Sequence, residues 1–208
     1  LKILNYGMIG CGMMGREHLR NLALLPATNI AAIYEPDAGM AAQAQAMVPG
    51  ARMVSSVADL LAVEALDALI IASPNHCHAA QLTQIAATRS LPVLVEKPLF
   101  TDPTDGPAMT ALGASFGAPI WVAMEYRYMP PIALLLDRVE YATGGPLMLS
   151  IREHRFPFLD KVGNWNRFNK NSGGTLVEKC CHFFDLMRLI LRAEPVRVMA
   201  TAGQAVNH

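Results

Sequence analysis

A glycine turn near the N-terminus constrains the fold more than any other feature of this 208-residue chain. It follows the apolar run 3–9 and opens a segment with helical spacing, 14–25. A strand that ends in G-x-G-x-x-G and leads into a helix is typical of a dinucleotide-binding site. Its glycines permit a tight turn, close approach of a pyrophosphate and close packing of the helix, whose free N–H groups favour an anion. We therefore predict cofactor contacts from Gly10, Gly12, Met13, Met14 and Gly15.

Apolar runs and helical segments alternate with short connections over the first part of the chain. The predicted strands cover 3–9, 29–34, 51–54, 66–72, 91–95 and 119–123, and the predicted helices cover 14–25, 37–48, 56–63, 75–88 and 104–116. The strands are continuously apolar, which is the pattern of a parallel sheet covered on both faces. The sequence therefore predicts an α/β fold with a doubly covered parallel sheet.

The pattern changes near residue 124. A helix is predicted over 130–142, a strand over 147–155, a polar and aromatic loop over 156–171, a helix over 174–192 and a strand over 196–202. We place a domain boundary at the change and predict one domain over 1–123 and a second over 124–208. Because the chain starts without Met and stops directly after an apolar run, we expect a piece of a longer protein.

Composition argues against several classes of partner. Hydrophobic residues make up 52% of the chain, and 17 basic residues balance 17 acidic ones, so a core is expected and a basic nucleic-acid surface is not. No apolar run reaches the roughly 18 residues of a membrane span. The four cysteines form no C-x-x-C pair, which favours a reducing, cytoplasmic compartment.

The choice of dinucleotide follows from the end of the second predicted strand. Glu35 lies about 20 residues after the glycine turn, where an acidic side chain can accept hydrogen bonds from both ribose hydroxyls. Its charge would repel a 2′-phosphate, and no arginine follows it. We predict NAD as the cofactor, with NADP as the alternative.

Polar residues also follow the fourth and fifth predicted strands. In an open parallel sheet, ligands bind outside the carboxyl ends of the strands. The residues assigned to cofactor contacts there are Ser73, Pro74, Asn75, His78, Glu96 and Lys97. The ammonium of Lys97 can lower the pKa of a bound hydroxyl or polarise a carbonyl, which makes Lys97 a catalytic candidate. The alternative is a solvated loop lysine.

A polar stripe is predicted on the apolar helix 174–192. Glu178, His182 and Asp185 are spaced i, i+4 and i+7, so on a continuous helix they share one face. His182 is the natural proton acceptor near neutral pH, and either carboxylate can orient it or bind substrate hydroxyls. The alternatives are a hydrogen-bonded core histidine and a metal pair of Glu178 with His182, for which no third ligand is evident. No metal site is predicted.

The loop before this helix offers further candidates for substrate contacts. The charged, amide and indole side chains within it or directly before it include Arg155, Trp165, Asn166 and Arg167. A packed surface loop is an equally good interpretation of each.

Taken together, these motifs resemble the Gfo/Idh/MocA oxidoreductase family, which includes glucose-fructose oxidoreductase and inositol dehydrogenase. The resemblance rests on the glycine turn, Ser73-Pro74-Asn75-His76-x-His78, Glu96-Lys97-Pro98, Tyr126-Arg127-Tyr128 and the segment from Gly173 through His182 to Asp185. No single motif is specific, but the set is.

The resemblance implies a Rossmann domain followed by part of an α/β domain with a large, mostly antiparallel sheet. It implies NAD(P) chemistry on sugars or polyols, with Lys97 as the lysine of the EKP motif and His182 as the histidine of the aspartate-x-x-x-histidine motif. The motifs also place Arg127 at the cofactor. Glu178 stands where the family usually has aspartate, and its longer side chain alters the substrate geometry. Family members are well over 300 residues long and often associate through the second sheet, so a homo-oligomer is expected of the full-length protein.

We therefore predict reversible NAD-dependent oxidation of a secondary alcohol on a sugar, cyclitol or related polyol. Lys97, His182 and Glu178 are the catalytic candidates, and with Arg155, Trp165 and Asn166 they are the substrate-binding candidates. Two alternatives stay open: a non-catalytic NAD(P)-binding sensor or scaffold, and a metal-assisted hydrolase that uses Glu178 and His182.

Overall fold

The computed structural model describes residues 2–145, 148–153, 159–201 and 203. The chain forms two compact units, one from 1–124 and 157–181 and the other from 125–156 and 182–208. The first unit therefore includes a segment that returns from the C-terminal half of the chain. The domain boundary predicted near residue 124 stays a prediction.

A six-stranded sheet forms the centre of the first unit. Its strands are β1 (Leu4–Ile9), β2 (Thr28–Tyr34), β3 (Arg52–Val54), β4 (Ala68–Ile71), β5 (Val93–Val95) and β6 (Ile120–Val122). All pairings are parallel, in the order β3-β2-β1-β4-β5-β6. The predicted strands and the parallel sheet are confirmed. The order reverses between β1 and β4, which opens a crevice at their carboxyl ends.

Helices connect the strands and cover the sheet. They are α1 (Met13–Ala23), α2 (Ala38–Met47), α3 (Val57–Leu61), α4 (His78–Thr88) and α5 (Gly106–Ser115). Two of the helix starts are capped by side chains, since Asp37 accepts a hydrogen bond from the N–H of Met40 at 2.8 Å and Ser56 from that of Asp59 at 3.0 Å.

Two apolar clusters lie on opposite faces of the sheet. Consecutive strand residues alternate between them, with Met8 and Ile70 in one cluster and Ile9 and Ile71 in the other. Helices α1 and α2 complete the first cluster through residues such as Leu19 and Ala44, while α3, α4 and α5 complete the second. Burial on both faces explains why the strands are continuously apolar.

The remaining helices are α6 (Pro130–Thr143), α7 (Asn169–Ser172), α8 (Gly174–Glu178) and α9 (Cys181–Leu191). Short 3₁₀ helices lie at Asn75–Cys77, Pro103–Asp105, Glu125–Tyr128 and Val162–Arg167. The single helix predicted over 174–192 is wrong, because the chain turns between α8 and α9. There the N–H groups of Lys179 and Cys180 both donate to the carbonyl of Thr175, at 3.0 and 3.1 Å.

The second unit consists of helices and irregular chain over its described residues. The strands predicted over 147–155 and 196–202 are not formed by residues 148–153 or 196–201, which are the parts of them that the structure describes. A strand needs a neighbour to pair its N–H and C=O groups, and the described part of this unit offers none. The mostly antiparallel sheet implied by the resemblance stays a prediction.

Candidate functional site

The glycine turn after β1 depends on two close backbone contacts. Gly10 has a φ of +87°, and a Cβ there would lie 2.6 Å from the backbone N of Ser73. A Cβ on Gly15 would lie 2.2 Å from the carbonyl oxygen of Gly10. Both distances are far below van der Waals contact, so only glycine fits at these two positions.

Gly12 differs from the other two glycines of the turn. A Cβ there would meet nothing closer than the Sδ of Met40, at 3.9 Å. The protein's own packing therefore does not require glycine at this position. A bare backbone here suits the close approach of a pyrophosphate, and the start of α1 next to it has neither a side-chain cap nor an acidic residue in its first turn. The turn fits a dinucleotide.

Glu35 follows β2 and is bonded directly to the glycine turn. Its Oε2 accepts a hydrogen bond from the N–H of Cys11 at 2.6 Å, and its Oε1 accepts one from the N–H of Asp37 at 2.9 Å. A carboxylate offers about four acceptor positions, so capacity remains for two ribose hydroxyls. Glu35 therefore lies beside the turn, where the sequence predicts an acidic residue.

Cys11 and Arg16 complete the turn. Burial raises the pKa of the Cys11 thiol to about 12, with the Glu35 carboxylate adding to the rise and the Arg16 guanidinium opposing it. Cys11 is therefore an inert, protonated thiol at neutral pH. The Arg16 guanidinium donates to the Cys11 carbonyl at 2.9 Å, which ties α1 back to the turn.

The residues after β4 are largely engaged with the protein. The Ser73 hydroxyl donates to Gln81 Oε1 at 2.6 Å, and the buried Asn75 amide donates to the Ser172 carbonyl at 3.4 Å. His78 is completely buried, and its two ring nitrogens face the carbonyl oxygens of Pro98 and Ser73. Both ring nitrogens are therefore engaged by the protein, and a direct cofactor contact from His78 stays a prediction. The cofactor roles of Ser73, Pro74 and Asn75 stay predictions.

The residues after β5 form a linked set of charged groups. Glu96 is buried, and its Oε1 lies 2.8 Å from His18 Nε2 while its Oε2 accepts from the N–H of Lys97 at 3.3 Å. The Lys97 ammonium donates to the carbonyl of Glu178, the last residue of α8, at 3.0 Å. The first unit thus brings together Lys97 and Glu178, two of the three predicted catalytic residues.

Lys161 adds a second ammonium to this set. Burial lowers its pKa; Glu178 and Glu96 oppose that effect, and the positive charge of Lys97 adds to it. Lys161 therefore lies within electrostatic range of these three charged groups. Sequence analysis missed it, because a single lysine in a polar loop carries no periodic or motif signal.

The loop candidates have different surroundings. Trp165 packs edge-on to His76, with ring centroids 6.2 Å apart. Asn166 is 8% exposed and donates to the Leu159 carbonyl at 3.1 Å, and its buried Oδ1 accepts no hydrogen bond from the described residues. Arg167 forms an exposed ion pair with Asp160 at 2.5 Å. Arg155 lies outside the described residues.

His182 belongs to the second unit, at the start of α9. Its ring stacks on Tyr126 with centroids 4.2 Å apart and planes 7° from parallel, and its Nε2 lies 3.4 Å from Glu125 Oε1. The predicted stripe of Glu178, His182 and Asp185 on one helix face is wrong, because α8 and α9 are separate helices. Glu125, which no sequence signal singled out, is a carboxylate that lies beside His182.

Asp185 and Arg127 form a partly buried ion pair in the second unit. The Arg127 guanidinium donates through Nε to Asp185 Oδ2 at 2.6 Å and through a second nitrogen to Oδ1. The Asp185 carboxylate raises the pKa of Arg127 further above its ordinary range. Asp185 is one of the two carboxylates that the sequence analysis suggested as partners of His182, and it is bonded to Arg127. A cofactor contact from Arg127 stays a prediction.

Two further features are absent from the described residues. They contain no group of three or more His, Cys, Asp and Glu side chains placed to hold a metal ion. None of their helices is both long enough and apolar enough to cross a membrane.

Comparison with family models gives two consecutive matches. Residues 4–124 match the "Oxidoreductase family, NAD-binding Rossmann fold" model of Gfo/Idh/MocA, and residues 143–208 match the corresponding "C-terminal alpha/beta domain" model. The two matches together include residues of both predicted domains.

Curated proteins with similar sequences include dehydrogenases. The chain is 31% identical over 199 residues to an inositol 2-dehydrogenase of Corynebacterium glutamicum, covering 95% of this chain and 57% of that protein. It is 27% identical to the rhizopine catabolism protein MocA of Rhizobium meliloti, covering 91% of this chain and 57% of that protein. The chain therefore spans little more than half the length of these relatives.

Solved structures share the fold. Myo-inositol 2-dehydrogenase from Lactobacillus plantarum aligns with a TM-score of 0.76 at 21% identity, covering 94% of this chain and 58% of that one. Myo-inositol dehydrogenase from Lactobacillus casei, solved with NAD(H) and myo-inositol, aligns with a TM-score of 0.74 at 20% identity, covering 91% and 55%. At these identities the likeness establishes the fold alone.

Proposed function

Because the chain belongs to the Gfo/Idh/MocA oxidoreductase family, we propose that it takes part in NAD-dependent oxidation of a secondary alcohol on a sugar, cyclitol or related polyol. One observation carries the proposal. The Glu35 carboxylate is bonded to the backbone of the glycine turn, at 2.6 Å from the Cys11 nitrogen, and so stands where a ribose diol would lie beside a bound pyrophosphate.

The cofactor is held by the turn and by residues that follow β2 and β4. The open backbone at Gly12 and the uncapped start of α1 receive the pyrophosphate, and Glu35 receives the ribose. When bound, NAD supplies a nicotinamide ring that accepts a hydride from the substrate carbon. The negative charge of Glu35 disfavours the 2′-phosphate of NADP, since two anions would meet there.

In this proposal, Lys97 and His182 act on the substrate hydroxyl in different ways. The Lys97 ammonium donates a hydrogen bond to the hydroxyl oxygen and stabilises the negative charge that develops on it. Neutral His182 accepts the hydroxyl proton, because an imidazole can take up a proton near neutral pH. Glu178 positions substrate hydroxyls, and Glu125 holds the His182 ring in one orientation.

The relatives suggest which substrates to test first. Several similar curated proteins are named inositol 2-dehydrogenase, and one similar structure was solved with myo-inositol. We propose a cyclitol of this type as the first compound for a turnover assay. A cytoplasmic location and self-association of the full-length protein stay predictions.

The direct test is fluorescence titration of the purified chain with NADH and with NADPH. We expect NADH to bind more tightly than NADPH, and Gly12→Ala to weaken NADH binding while the protein keeps its stability. Gly113→Ala is the matched control, because a Cβ at that position in α5 has free space as at Gly12, with nothing within 4 Å, and lies away from the turn. Equal NADH affinity in the wild type and in Gly12→Ala would remove the main support for the nucleotide site.

A further inference from the structure

Lys97 is anchored through the backbone on both sides. On its N-terminal side, its own N–H donates to Glu96 Oε2 at 3.3 Å, and the other oxygen of that carboxylate lies 2.8 Å from His18 Nε2. On its C-terminal side, the carbonyl oxygen of Pro98 lies 2.8 Å from His78 Nδ1. Both anchors end on a histidine, and neither histidine has a role in the chemistry proposed above.

His78 also reaches the glycine turn through Ser73. Its Nε2 lies 2.9 Å from the Ser73 carbonyl oxygen, and the backbone N of Ser73 is the atom that a Cβ on Gly10 would approach to 2.6 Å. One buried imidazole therefore connects the chain after β4, which packs on the cofactor turn, with the chain after β5, which carries Lys97.

The two contacts of His78 cannot be equivalent when the ring is neutral. A neutral imidazole has one N–H donor and one acceptor nitrogen, whereas both of its neighbours here are carbonyl oxygens, which only accept. Complete burial of the ring disfavours the charged form, and its pKa is lowered for that reason first. The ring therefore donates to one carbonyl at a time.

We propose that His78 is a positioning residue for Lys97. His78 fixes the Pro98 carbonyl on the C-terminal side of Lys97, while the Glu96–His18 contact fixes the N-terminal side. The backbone on both sides then holds the Lys97 ammonium in place. The significance of that position rests on the function proposed for Lys97. The position itself is measurable without any substrate or cofactor.

The test uses the full chain with its lysines reductively dimethylated with ¹³C. The chain has only five lysines, Lys2, Lys97, Lys161, Lys170 and Lys179, so its methyl spectrum is simple. Lys97→Arg identifies the Lys97 resonance by its loss. His78→Leu fills much of the space without a donor, and His78→Gln restores one donor that can reach a carbonyl. Ile85→Val is the matched control, because Ile85 is also fully buried in α4.

We expect His78→Leu to shift the Lys97 resonance while Lys2 and Lys170 keep theirs, and His78→Gln to bring Lys97 back toward its wild-type position. An unmoved Lys97 resonance in a His78→Leu protein with a wild-type circular dichroism spectrum overturns the proposal, as does a shift in His78→Gln as large as the shift in His78→Leu. An equal shift in Ile85→Val also overturns it, because the effect would then be a general loosening of α4. NADH titration of the same samples reports separately on the proposed function.

Discussion

At the scale of single residues, the glycines of the turn have different physical reasons for being glycine. Gly10 and Gly15 are required by the protein's own backbone, whereas Gly12 has free space beside it. The G-x-G-x-x-G motif by itself does not distinguish these three glycines. The structure separates the two that the fold needs from Gly12, for which we propose a ligand contact.

Gly15→Ala tests the first of these reasons. Its new Cβ would lie 2.2 Å from the Gly10 oxygen, so the turn or α1 must move. We expect the free energy of unfolding to fall by about 1–3 kcal/mol, as in other overpacked sites. Urea denaturation measures it, with Gly12→Ala as the control that keeps wild-type stability. A Gly15→Ala protein as stable as the wild type would show that the turn is more adaptable than its geometry indicates.

Lys161 responds to the charge of Lys97. The ammonium of Lys97 contributes to the lowered pKa of Lys161, so removing that charge should raise the Lys161 pKa toward its ordinary value. We expect this rise in Lys97→Met, measured by titrating the ¹³C-dimethyl resonance of Lys161. Lys170 serves as the internal reference. A Lys161 pKa that stays constant would mean that the two ammonium groups do not interact.

His78 makes stability depend on pH. Its folded-state pKa lies below the ordinary value of 6.5, so the unfolded chain binds a proton that the folded chain excludes. Stability is therefore retained above about pH 6.5 and declines as the pH falls from there toward the folded-state pKa. We expect this decline to be shallower in His78→Gln, measured by urea denaturation between pH 7.5 and about 5. Parallel curves for the two proteins would contradict the prediction.

At the scale of elements, helix ends explain where the polar pattern was misinterpreted. The spacing of Glu178, His182 and Asp185 implies a common face only if the helix is continuous. The turn at Lys179 and Cys180 ends α8 and starts α9, so each residue acquires its own partners. Asp185 pairs with Arg127, and His182 lies beside Glu125 and Tyr126.

The Arg127–Asp185 pair should stabilise the second unit, since it joins the 3₁₀ helix Glu125–Tyr128 to α9. We expect Asp185→Ala to lower the free energy of unfolding by about 1 kcal/mol, a value reduced because Arg127 is partly exposed to solvent. Glu194→Gln is the control, because the Arg188–Glu194 pair lies at the surface of the same unit. Urea denaturation compares both with the wild type. If Asp185→Ala and Glu194→Gln lowered the free energy of unfolding equally, partial burial would add nothing to the stability that the Arg127–Asp185 pair provides.

At the scale of the whole molecule, residues far apart in sequence share the unit that contains the sheet. Segment 157–181 joins residues 1–124, and two hydrogen bonds connect it to the ends of β4 and β5, from Asn75 to Ser172 and from Lys97 to Glu178. The sequence assigned this segment to the second domain. The nucleotide-binding unit thus carries a substrate candidate, Glu178, from the other half of the chain.

Ligand binding should stabilise this molecule through mass action. NADH at about 100 times its dissociation constant is expected to add about 2.7 kcal/mol to the free energy of unfolding, because it binds the folded chain alone. The measurement is urea denaturation with and without NADH. NADPH at the same concentration should add less in the wild type, and the difference should shrink in Glu35→Ala. A stabilisation by NADPH equal to that by NADH would contradict the role given to Glu35.

The sequence by itself determined the parallel sheet, its helices, the glycine turn and the position of Glu35. These features depend on local periodicity and on residues that follow predicted strands, and parallel strands bring their carboxyl ends to one edge. Only the tertiary structure decided that Lys161 and His18 join the Lys97 region, that His78 is enclosed and that Glu125 lies beside His182. Those neighbours come from separate elements, and the break between α8 and α9 comes from a turn, so neither leaves a period in the sequence.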